Sequence, residues 1–82
     1  GSFDCFRLAK EAAKRGGTVC AAMNAANEEA VALYLQDAIG FYDISELVSR
    51  AMELPSVENP KLRDILNADK AARELVWSRF FR

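Results

Sequence analysis

The chain has 82 residues, enough for one domain with a modest core, and 51% of them are hydrophobic against 28% charged, the balance of a folded globular protein and not of a disordered tail. Lys and Arg total 11 against 12 Asp and Glu, for a net charge of -1 and a sequence pI near 5.4, so no cationic excess draws in phosphate backbones or anionic lipid. Histidine is absent, which removes the commonest general base and metal ligand and every Ser-His or Cys-His nucleophile pair.

No apolar run approaches the roughly 20 residues that span a bilayer, and no charged segment leads into an apolar one at the start. Neither a membrane nor nucleic acid is expected as a partner. Gly1-Ser2 reads as the remnant of a cleaved tag, so a single domain is expected over 3–82. Cys5 and Cys20 are too few and too far apart for a metal knuckle or a Cys-x-x-Cys redox pair. Both sit among apolar neighbours and read as buried free thiols of a reducing compartment.

In chain order, Cys5, Phe6, Leu8, Ala9, Ala12 and Ala13 keep helical spacing opposite Arg7, Lys10, Glu11 and Lys14, which predicts an amphipathic helix from Asp4 to Arg15 with Asp4 as its N-cap. Lys14-Arg15 then suits the helix dipole, and Gly16-Gly17 supplies residues free to take positive φ. From Thr18 to Gln36 the chain is rich in alanine and apolar around much of the helix circumference, which predicts one long central helix capped by Thr18, with a bend or restart possible at Asn24. Asp37 to Tyr42 has the length of a connection between packed helices.

Asp43 and Glu46 have the form of a capping box, followed by the apolar stripe Ile44, Leu47, Val48, Ala51 and Met52. Pro55 ends that helix, and Ser56 to Asn59 reads as a loop. Asn59-Pro60 predicts the start of a last helical segment, and Asn67-Ala68-Asp69 offers a second cap, so the reading is two short pieces rather than one. No segment alternates with period two. The fold class is all-α, a bundle of about four helices with short connections.

The search for chemistry finds little. Glu28 and Glu29 are the densest carboxylates, but neighbours on a helix point about 100° apart and are not expected to converge on one ion. Gly16-Gly17 lacks the spacing and the preceding strand of a phosphate cradle, and a helix C-cap accounts for it. Lys10, Lys14 and Arg15 read as a solvated basic face at a helix end. Trp77, Phe80 and Phe81, with Arg79 and Arg82 too sparse for a nucleic-acid stacking platform, read as core or, failing that, as a docking surface. Asn24 and Asn27, three residues apart on one helical face, stand out from their apolar setting and read as a polar bridge to a loop or helix end rather than a ligand contact.

Taken in order, Cys5-Phe6-Arg7-Leu8-Ala9, Gly16-Gly17-Thr18, Met23-Asn24-Ala25-Ala26-Asn27-Glu28, Phe41-Tyr42-Asp43-Ile44 and Ala68-Asp69-Lys70-Ala71-Ala72-Arg73-Glu74 resemble the C-terminal domain of 1-deoxy-D-xylulose 5-phosphate reductoisomerases. The resemblance covers nearly the whole chain. It implies a parent oxidoreductase of non-mevalonate isoprenoid biosynthesis, a homodimer making 2-C-methyl-D-erythritol 4-phosphate with NADPH and a divalent metal, magnesium or manganese. It also implies a cytoplasmic protein in a bacterium, or a plastid one in a plastid-bearing eukaryote. In that family the nucleotide, metal and phosphate groups belong to other domains, so no catalytic, cofactor-binding or metal residue is carried over here. The fragment alone is expected to be inactive, with the remaining domains of the parent as its partners. A free-standing helical interaction module is the alternative reading, and a helix-turn-helix DNA binder is disfavoured by the acidic pI.

Overall fold

The computed structural model describes residues 2–80, and side chains over 6–79. Four helices follow one another: α1 Ser2–Arg15, α2 Val19–Leu35, α3 Phe41–Ala51 and α4 Leu62–Phe80. Among the described residues there is no strand, and the all-α reading holds. The Cα trace fills a slab of 37 × 26 × 16 Å. α2 runs through its middle and packs against each of the other three helices, whereas α1 and α4 do not meet among the described residues.

Alanines make this close packing possible. Ala22, Ala25, Ala26 and Ala30 of α2, with Ala12, Ala51 and Ala72 from its neighbours, are buried and let the helix axes approach, while Leu8, Leu33, Leu47, Val48, Met52 and Val76 fill the remaining space. The sequence reading of α2 as apolar on many sides needs correction. Its buried residues lie along one side, and Asn24, Asn27, Ala32 and Leu35 are exposed on the other. Alanine favours the helix through its propensity whether or not it is covered, so an alanine-rich sequence does not by itself demand burial all round.

The helix ends differ from the predicted ones in instructive ways. α1 starts at Ser2, so Asp4 lies inside its first turn instead of at the cap. α2 is continuous through Asn24. Thr18 occupies the N-cap position but makes no side-chain cap bond, because its hydroxyl is used elsewhere. In α3 the cap moves back one turn: Gly40 is the N-cap, and the Asp43 carboxylate accepts the Gly40 N–H at 2.8 Å. Glu46 is thereby released and receives Arg79 of α4 at 3.2 Å. In the connection before α3, Asp37 takes positive φ (60°) while Gly40 is extended.

α4 begins at Leu62, two residues after Pro60, with the Asp64 carboxylate accepting the Lys61 N–H at 2.9 Å. It then runs unbroken to Phe80, which overturns the two-piece reading. Asp69 does not cap a new helix. It pairs with Arg73 one turn on, Nε to Oδ1 2.7 Å, an (i, i+4) contact that supports the helix through the doubtful stretch. Cys20 is a half-buried free thiol packed against the core; the Cys5, Phe80 and Phe81 side chains lie outside those described.

Candidate functional site

Two polar constellations stand out. The first closes one end of the bundle, where Gly16 and Gly17 both adopt positive φ (70° and 58°) and turn the chain from α1 into α2. Thr18, next in line, is 2% exposed. Its N–H donates to Ser56 Oγ at 3.2 Å, its hydroxyl lies 3.4 Å from the same oxygen, and Val57 N–H donates to Thr18 Oγ1 at 3.1 Å. One threonine thus pins the loop after α3 to the start of α2, satisfying backbone that burial would otherwise leave unpaired. A Cβ on Gly17 would stand 2.6 Å from the Val57 carbonyl oxygen, so only glycine lets the two segments come this close. Arg15 completes the knot by donating from Nη2 to the Met52 carbonyl at 2.9 Å and pairing with Glu53 at 3.2 Å. The basic residue that reads as a solvated face therefore also caps the end of α3.

The second constellation links α2 to α4. Arg73 reaches Asp69 on its own helix and donates from Nη1 to Glu28 at 2.9 Å and to Glu29 at 3.0 Å. Hydrogen bonds from Asp69, then Glu29, then Glu28 raise its already high pKa further, so the guanidinium stays charged wherever the carboxylates are ionised. Trp77 Nε1 donates to the other oxygen of Glu29 at 2.9 Å. The expectation that Glu28 and Glu29 diverge is corrected here: each has enough side-chain length to bend back 100° and meet one cation. The ion is a guanidinium, which draws the three carboxylates together but offsets only one of their charges. Among the described residues no group of three His, Cys, Asp or Glu side chains is placed to hold a metal, and these residues do not fit one.

Asn24 and Asn27 do not bridge helices. Both are exposed on α2, and neither amide takes part in a hydrogen bond among the described residues. Asparagine costs a helix interior up to about 0.7 kcal/mol relative to alanine, and nothing inside this bundle offsets it. A shallow groove of about 240 Å³ lies beside the knot, lined by Val19, Met52, Pro55, Val57 and Ala68 among others. It offers few polar groups for a ligand. Among the described residues no helix is long and apolar enough to cross a membrane.

Fold and constellations define a small all-α domain whose polar groups serve its own helices and whose open face carries unused amides. The family described as DXP reductoisomerase C-terminal domain matches residues 1–75, and the chain belongs to it. It is 42% identical over 82 residues to the 1-deoxy-D-xylulose 5-phosphate reductoisomerase of Caldanaerobacter subterraneus subsp. tengcongensis, covering 99% of this chain and 22% of that protein. The Synechococcus sp. (strain JA-2-3B'a(2-13)) protein of the same name is 51% identical over 72 residues, or 87% of this chain and 18% of its own length. For that of Geobacillus kaustophilus the figures are 49% over 77 residues, 93% and 20%. The chain therefore spans about a fifth of the curated relatives it matches. No solved structure matches it significantly.

Proposed function

We propose that the chain is the non-catalytic C-terminal domain of a 1-deoxy-D-xylulose 5-phosphate reductoisomerase, a helical support for chemistry carried out elsewhere in the parent. The observation that carries this reading is the alignment of 99% of the chain with 22% of a reductoisomerase. The parent would then convert 1-deoxy-D-xylulose 5-phosphate to 2-C-methyl-D-erythritol 4-phosphate, drawing on NADPH and magnesium or manganese held by its other domains. In this reading the parent is a homodimer in the cytoplasm of a bacterium or in a plastid. The absence of histidine and the consumption of Glu28, Glu29 and Asp69 by Arg73 support a domain without catalytic, cofactor or metal residues. Alignment with a part of longer enzymes disfavours the free-standing interaction module.

The test supplies the purified 82-residue chain with substrate, NADPH and a divalent metal, beside the full-length parent at equal concentration. NADPH oxidation by the parent with none by the chain is the expected result. Turnover by the chain alone would show that the chemistry does not depend on the other domains.

A further inference from the structure

α2 and α4 pack together and run in the same direction, since Val19 and Ala22 line one groove with Ala68 and Ala71 while Glu29 is bonded to Arg73 and Trp77. Each leaves one flank open. On α2 that flank carries Asn24, Asn27 and Leu35, spaced i, i+3 and i+11 on one helical face, with Leu35 73% exposed and the half-buried Val31 between them packed against the core. On α4 the corresponding stripe begins with Leu62 and Leu66, 70% and 58% exposed, and continues through Asp69 and Arg73 to Trp77. The bonds from Arg73 to Glu28 join the two stripes into one surface on the same side of the slab. That surface combines large exposed apolar groups, a charge cluster with a net negative balance, and two carboxamides with no hydrogen-bond partner among the described residues.

We propose that this α2–α4 face is where the preceding part of the parent polypeptide docks, with the Asn24 and Asn27 amides hydrogen-bonded to its main chain. The proposal rests on the reading of the chain as one domain of a longer enzyme. The occupant follows from length and order: the chain corresponds to about 22% of its relatives, the matching family is a C-terminal domain, and so the bulk of the parent precedes it and is tethered beside it at high effective concentration. The chemistry of the face fits that occupant. A carboxamide both donates and accepts, which suits backbone N–H and C=O groups of a loop or strand edge irrespective of side-chain charge. The Arg73 cluster keeps a net negative charge, three carboxylates against one guanidinium, which favours N–H donors or basic groups on the partner, and Leu35, Leu62 and Leu66 supply apolar area that a partner would remove from water.

The experiment is thiol labelling of the full-length parent carrying Asn27→Cys, compared with the parent carrying Ser49→Cys on the exposed side of α3, each read by peptide mass spectrometry and normalised to its rate in denaturant. Labelling at position 27 at least tenfold slower than at position 49, unchanged on dilution, is the expected result. Equal rates, or slower labelling at 49, would overturn the proposal while leaving the enzymatic reading of the parent untouched, because that reading stands or falls on turnover. Protection at 27 that vanishes on dilution would assign the face to a second copy of the protein and equally overturn it. Asn24→Cys provides the same readout one turn away and is expected to behave as Asn27→Cys does.

Discussion

The end of the bundle around Thr18 and the face around Asn27 are both polar, yet they differ in almost every physical respect. At the knot, the buried Thr18 hydroxyl accepts the Val57 N–H across 39 residues of sequence, and among the described residues no buried side-chain polar atom lacks a partner. On the α2–α4 face the amides are exposed and unused among the described residues, and the Arg73 cluster joins its guanidinium to carboxylates that range from half-buried Glu29 to exposed Glu28. Polar groups of the first kind hold a fold together because desolvation makes their loss costly. Those of the second kind can be removed with little consequence for the fold, so their reason is to be sought outside it.

The sharpest way to strain that contrast is at the paired glycines. Gly17→Ala forces both a left-handed alanine and a Cβ against the Val57 carbonyl, and is expected to cost about 3 kcal/mol of stability in urea denaturation. Gly16→Ala shares the positive φ but has no atom within 4 Å of the new Cβ, so it should cost only about 1 kcal/mol. The difference between the two isolates the close approach from the backbone strain. Next, Thr18→Val keeps the shape but leaves Val57 N–H without its acceptor, for an expected loss of roughly 2 kcal/mol measured the same way. Arg73→Lys trades a guanidinium that reaches three carboxylates for a single ammonium, and because the cluster is in contact with solvent the smallest effect of the set is expected, a slight fall in melting temperature by thermal denaturation.

Much of this architecture is legible in the sequence because it depends on local rules. Helical spacing locates the first three helices and the helical character of the last segment, Gly16-Gly17 marks the first turn, and missing histidine removes most chemistry. The misreadings share a physical cause. Asp4 and Asp43 are equally good at an N-cap and within the first turn, so sequence alone does not separate the two registers. Asn67 and Asp69 resemble a cap until Arg73 is seen to take the Asp69 carboxylate and keep α4 whole. The meeting of Glu28 and Glu29 on Arg73 joins residues 44 and 45 apart and leaves no trace in spacing. The Asn24-Ala25-Ala26-Asn27-Glu28 segment is the opposite case: it is conspicuous in the sequence, and its amides make no hydrogen bond among the described residues.

The account turns on a separation between groups that build the fold and groups that are spare to it. Urea denaturation of the 82-residue chain carrying Asn24→Ala and Asn27→Ala together, beside Gly17→Ala, tests it most directly. The account predicts that the double variant stays within about 0.5 kcal/mol of the parent sequence, or gains slightly from alanine's helix propensity, while Gly17→Ala loses several times that amount. A double variant as destabilised as Gly17→Ala would contradict it, because the asparagines would then belong to the fold and not to the open face.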